Sequence, residues 1–136
     1  MDDLLAIARG QDDAMRAACE GKPPLVLLDT DPLMTAAWAQ MLFGEVPDEL
    51  LGYPKAEHYL LFAADTAWQD DGTRMFGTAE ARAQFAAVAQ DMLEQAGVPF
   101  TPVSGGWSER EAQVRADVAR LMADPGEETR CGSRQD

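Results

Sequence analysis

Two short apolar runs constrain this chain more than any other feature. "LVLLD" (Leu25 to Asp29) and "HYLLFAAD" (His58 to Asp65) are continuous rather than alternating, and each ends on an acid. A strand with one wet face alternates polar and apolar side chains. A continuous run fits a strand covered on both faces, as in a parallel sheet. Helical patterns surround both runs, and strands alternating with helices imply a parallel sheet with helices on its faces.

The helices announce their own ends. Residues 3 to 20 place Leu4, Ile7, Ala8, Met15 and Ala18 near one face. In "DPLMTAAWAQMLFG", Asp31 can cap, Pro32 suits the first helical position and Gly44 stops the helix. Thr78 can cap a helix whose apolar face is Phe85, Ala89, Met92 and Ala96, ended by Gly97. "VPFTPVSGG" is a weaker third strand, because Pro99 and Pro102 suit a sheet edge. Ser108 and Glu111 form a capping box for a last helix carrying Val114, Val118, Leu121 and Met122. The reading is an α/β domain over residues 1–123, with about three parallel strands, and a disordered tail over 124–136.

Charge narrows the partners. With 24 acids against 11 bases, the net charge is −13. A general nucleic-acid binder needs a basic face to displace counterions, and docking on anionic membrane needs the same. Neither partner is expected. An anionic substrate needs a metal ion or a local basic cluster to offset this field. One His and two cysteines without a spaced motif leave no Cys/His zinc site, and Cys19 and Cys131 fit a reducing compartment. No run approaches the roughly 18 apolar residues of a membrane span. The acidic N-terminus lacks the basic region of a signal peptide. A cytoplasmic location is expected.

In parallel α/β sheets, ligands bind beyond the carboxyl ends of the strands. Asp29, Asp31, Asp65 and Ser104 fall at or just past those ends. "LVLLDTD" has the form of a Walker B element, whose acid binds Mg²⁺ directly or through water. Asp29 is that acid. Asp31 is either a second ligand or simply the helix cap. "DTAWQDDGTR" combines a shape-changing glycine with an arginine, Arg74, that can stabilise a transferring phosphate, and with a flat Trp68. The plainer alternative has Asp70 or Asp71 capping a turn, Arg74 pairing with one of them and Trp68 plugging the core. "VSGGWSER" offers Gly105, Gly106 and Trp107 as a backbone cradle with an aromatic neighbour. Its alternative is a strand-to-helix turn in which Trp107 is a hydrophobic staple. Trp38 is a buried helix residue or a pocket wall. His58 opens a strand with no apparent partner.

Together these pieces resemble the C-terminal portion of the NadR-like P-loop ATPases, AAA-type NTPase domains related to ribosylnicotinamide kinase. "LVLLDTDPLMTAAWAQMLFG", "HYLLFAADTAWQDDGTRMFG" and "VSGGWSEREAQV" carry the resemblance in that order, up to about Leu121. The most diagnostic piece is D-T-x-W-x-D-D-G-x-R, here Asp65 to Arg74. The resemblance implies Mg-ATP-dependent phosphorylation of nicotinamide riboside or a related nucleoside. It implies Asp29 as the acid near the metal and Asp31 as a second candidate for metal or substrate. Arg74 becomes the lid arginine at the phosphates. Trp68, Asp71 and Trp38 fall on the substrate side, and Gly105, Gly106 and Trp107 near the adenine.

The chain also departs from the family. Its only lysines are Lys22 and Lys55, and no G-x-x-x-x-G-K-[ST] motif is present. By resemblance, the strand bearing that motif would lie between the Leu25 and Tyr59 strands. The expectation is therefore the C-terminal part of a longer enzyme, incompetent for phosphoryl transfer alone. The alternative is a non-catalytic binding protein derived from that domain, with self-association through an incomplete sheet as one outcome.

Overall fold

The computed structural model describes residues 1–65 and 78–123. Five helices and two strands follow in the order α1 (Asp2–Cys19), α2 (Pro32–Phe43), α3 (Asp48–Gly52), β1 (Tyr59–Phe62), α4 (Ala79–Ala96), β2 (Phe100–Val103) and α5 (Trp107–Ala123). The expected tail over 124–136, with Cys131, lies outside the described residues, as do Trp68, Asp71 and Arg74. Cys19 is disulfide-bonded, contrary to its reading as a thiol.

Local signals explain most helix ends. Asp31 accepts a hydrogen bond from the Met34 N–H (3.0 Å), Pro32 occupies the first turn and Gly44 closes α2 at φ 70°. Thr78 accepts from the Ala81 N–H (3.1 Å) and Gly97 closes α4 at φ 69°. A positive φ costs glycine nothing and most other residues a good deal. On α1, Ala8, Asp12 and Met15 are buried, while Ile7 is half exposed and Ala18 exposed. The buried stripe is thus rotated from the expected face and includes an acid.

The core is helical. Ala8, Leu33, Ala36, Ala37, Ala39, Leu50, Ala89, Met92 and Leu93 bring α1 to α4 together, with Tyr59, Leu61 and Phe100 packed against them. Alanines along α2 let its neighbours approach closely. Burying Leu33 or Leu93 contributes roughly 1.5–3 kcal/mol each. Trp38 packs on Phe85 of α4 at 4.6 Å between ring centroids, welding α2 to α4.

β1 and β2 pair in parallel, with Tyr59 opposite Phe100 and Phe62 opposite Val103. Period-two alternation then sorts the side chains. Tyr59, Leu61 and Phe100 face the helical core. His58, Leu60, Phe62, Thr101 and Val103 face α5. A two-stranded sheet is marginal alone, and here it persists because helices cover both faces.

Two expectations need correction. The first of the three expected strands, Leu25–Asp29, has no regular structure among the described residues, and Leu27 is 74% exposed. A strand needs its hydrogen bonds on another segment, and among the described residues the only strand pair is β1 with β2. Asp31, just past this run, accepts a hydrogen bond from the Tyr59 hydroxyl at the start of β1. The second correction concerns α5, which starts at Trp107, so Ser108 lies inside the helix rather than at its cap. Its buried residues are Arg110 and Asp117, whereas Leu121 and Met122 are exposed.

Candidate functional site at the strand ends

The carboxyl ends of β1 and β2 meet at one charged cluster. Asp65, three residues past β1, and Gly105, two past β2, approach each other, and the Gly105 N–H donates to Asp65 Oδ2 (2.8 Å). Gly105 holds φ 95°, a left-handed conformation that aims this amide at the carboxylate. A Cβ there would sit 2.1 Å from Glu109 Oε2.

Arg110 of α5 locks the arrangement. Its Nε donates to the Gly105 carbonyl (2.8 Å), and its Nη2 donates to the Ala63 carbonyl (2.8 Å) and to Asp65. The guanidinium carbon lies 5.7 Å from the Phe62 ring centroid. Only arginine's planar fork reaches two carbonyls and a carboxylate at once. Gln113 adds a second tie: its amide donates to the Ser104 carbonyl (2.6 Å) and accepts from the Ser104 N–H (3.2 Å). The Gly105 amide first, then Arg110, holds the Asp65 carboxyl below the usual carboxylate range.

The other expected residues distribute as follows. Trp107 opens α5 beside this cluster and is 77% exposed, so it staples nothing. Gly106 accepts the first helical hydrogen bond of α5, from the Arg110 N–H (2.9 Å). Asp29 is exposed at a bend. Asp31 is 4% exposed and both its oxygens are engaged, one by the Met34 N–H and the other by the Tyr59 hydroxyl. Trp38 sits in the α2–α4 contact. The Arg74 segment enters the chain directly after Asp65 but falls outside the described residues.

Beneath the sheet lies a second polar cluster that sequence reasoning missed. His58 Nε2 is 2.7 Å from Thr101 Oγ1 and 3.0 Å from Asp117 Oδ2, and Asp117 also pairs with Arg120. Arg120 foremost, then Thr101 and His58, holds the Asp117 carboxyl below its usual range. The one signal available was α5's stripe at i, i+4, i+7 and i+8, where Arg110 and Asp117 interleave with Val114 and Val118.

Mg-ATP fits the described residues only in part. They contain no group of three or more potential metal ligands. Asp31 is buried with one donor on each oxygen, and no phosphate-loop motif occurs in the chain. The residues are not a complete Mg²⁺ and phosphate site, and no transfer step is derived through one.

Parallel strands between helical layers, with a glycine turn and an acid at their carboxyl ends, define a partial α/β domain compatible with the P-loop NTPases. The particular relationship is narrower. The profile of the family described as "AAA domain" matches residues 1–110, and the chain belongs to that family. It is thereby a nucleotide-binding, P-loop NTPase-like domain. No solved structure matches the chain. Among the described residues, no helix is long and apolar enough to cross a membrane.

Proposed function

We propose that this chain is the substrate and lid side of a NadR-like nucleoside kinase or ATPase, binding nucleotide or nucleoside where β1 and β2 end. The supporting observation is the Asp65–Gly105–Arg110 junction. It fixes the Gly105–Trp107 turn against the residue from which the D-T-x-W-x-D-D-G-x-R segment departs. The exposed Trp107 ring offers a stacking face worth about 1–3 kcal/mol to a base. Arg74 is assigned to phosphate charge, Asp29 to the metal side, and Trp68 and Asp71 to the nucleoside. When bound, Mg²⁺ would offset the −13 field around the phosphates. Lacking a phosphate-loop motif, these 136 residues alone are assigned binding without phosphoryl transfer. Nicotinamide riboside is the first nucleoside to try.

The alternative, a binding protein without catalysis, is favoured by one observation: Asp31 is consumed as cap and Tyr59 partner. Calorimetric titration with ATP plus Mg²⁺, and with nicotinamide riboside, tests both. Saturable binding weakened about tenfold by Trp107→Ala supports the site. Robust ATP turnover that survives Arg74→Ala and Asp29→Ala overturns the assignments, and nucleoside binding indifferent to Trp107→Ala moves the site elsewhere.

A further inference from the structure

The turn after β2 has already committed most of its own backbone. The Ser104 N–H and C=O are both held by the Gln113 amide. The Gly105 N–H goes to Asp65 and its C=O to Arg110 Nε. The Gly106 carbonyl takes the Arg110 N–H. Each carbonyl of the turn thus has a donor before any ligand arrives, although the sequence reads as a backbone cradle. The acceptor left open is a side chain. Glu109, in the first turn of α5, lies back across Gly105, and its Oε2 occupies the space that a Cβ at Gly105 would fill. Glu109 is exposed and makes no hydrogen bond or ion pair among the described residues. The two carboxylates at this end of the sheet therefore differ: Asp65 is tied into the turn by the Gly105 amide and Arg110, and Glu109 is not.

We propose that Glu109 is the specificity-determining residue of the nucleoside site, its carboxylate accepting the two hydroxyls of a ribose vicinal diol while the base stacks on Trp107. The inference rests on the reading of this turn as the nucleoside site. A carboxylate presents two acceptor oxygens to two hydroxyl donors, and hydrogen bonds to an ionised acceptor are about twice as strong as neutral ones. An acid on the ribose hydroxyls is also a recurrent device in nucleotide-binding α/β folds. Trp107 and Glu109 are two positions apart on a helix, so they do not face each other. A ligand that touches both lies across the end of α5 and needs a flat part and a donor-bearing part. A nucleoside has that division. Phosphate does not suit this end: a helix N-terminus attracts anions, but an open carboxylate there and a net charge of −13 oppose one.

The probe is adenosine, titrated calorimetrically into the full chain beside 2′,3′-dideoxyadenosine and inosine. Adenosine should bind about tenfold tighter than the dideoxy compound. Inosine should bind like adenosine, because the diol and not the base amino group is read. Glu109→Gln, at an exposed position, keeps the side chain's length and removes its charge. It should weaken adenosine about tenfold and leave dideoxyadenosine unchanged. Gly105→Ala, whose methyl displaces this carboxylate, should lower the ratio of the two affinities in the same direction. A Glu109 that only caps α5 would shift both ligands alike. Equal affinity of the parent chain for adenosine and dideoxyadenosine overturns the proposal, as does an equal loss for both in Glu109→Gln, or discrimination against inosine alone. Adenosine binding lost in Trp107→Ala but intact in Glu109→Gln keeps the site and overturns the role given to Glu109. Binding indifferent to both substitutions, or absent from the parent chain, overturns the site reading itself and the proposal with it.

Discussion

Arg110 and Asp65, 45 residues apart in sequence, form an ion pair that fastens the end of β1 to the turn after β2. Arg110 is 5% exposed and also holds the Ala63 and Gly105 carbonyls. Arg110→Ala leaves both carbonyls without that donor and removes packing from Phe62. A loss of about 2–4 kcal/mol is expected in urea unfolding. Arg110→Lys keeps the charge but not the fork, and should recover less than half of that loss.

The two depressed carboxyls set the acid limb of stability. Asp65 and Asp117 ionise more readily in the folded chain than in the unfolded one. As pH falls below about 4, the unfolded state takes up protons first. Their contribution is present above that pH and is lost as pH falls through the folded values. Unfolding midpoints measured from pH 6 to 3 should drop more shallowly in Asp65→Asn than in the parent chain.

Tyr59 acts at the opposite end of the pH scale. Burial first, then the Asp31 carboxylate, pushes its hydroxyl far above the usual phenol range. Above about pH 10 the unfolded chain loses this proton while the folded chain keeps it, so stability falls as pH rises. Tyr59→Phe should flatten that alkaline decline. At pH 7 it should cost about 1–2 kcal/mol, because Asp31 loses its donor and the Ala56 N–H its acceptor. Thermal melts at pH 7 and pH 10.5 separate the two effects.

Neighbouring glycines should respond differently to a methyl group. Gly105→Ala meets Glu109 and a φ of 95°, and a cost of about 1–3 kcal/mol is expected. At Gly106 a Cβ meets nothing within 4 Å, so Gly106→Ala should cost less. Denaturation of the pair gives the ranking, and nucleotide titration of Gly105→Ala shows whether the turn's shape matters to binding.

Helix ends were legible because their causes are local. Asp31, Pro32 and Gly44, and likewise Thr78 and Gly97, act on amides and carbonyls within four residues, so a short window of sequence contains the whole interaction. The HYLLF run and the weaker FTPV run were also legible as strands, as was their parallel sense, since a helix must connect them. By the same token, the acid and the glycine turn at their ends could be named in advance.

What the tertiary structure decided was whether each apolar run finds a partner. "LVLLD" and "HYLLF" look alike in sequence, yet only the second is a strand, because a strand's hydrogen bonds lie on another segment. Arg110 and Asp117 read as ordinary solvated charges on a helix. They are buried because α5 lies across β1 and β2, where the Ala63 and Gly105 carbonyls, Asp65 and His58 supply partners that only folding brings within reach.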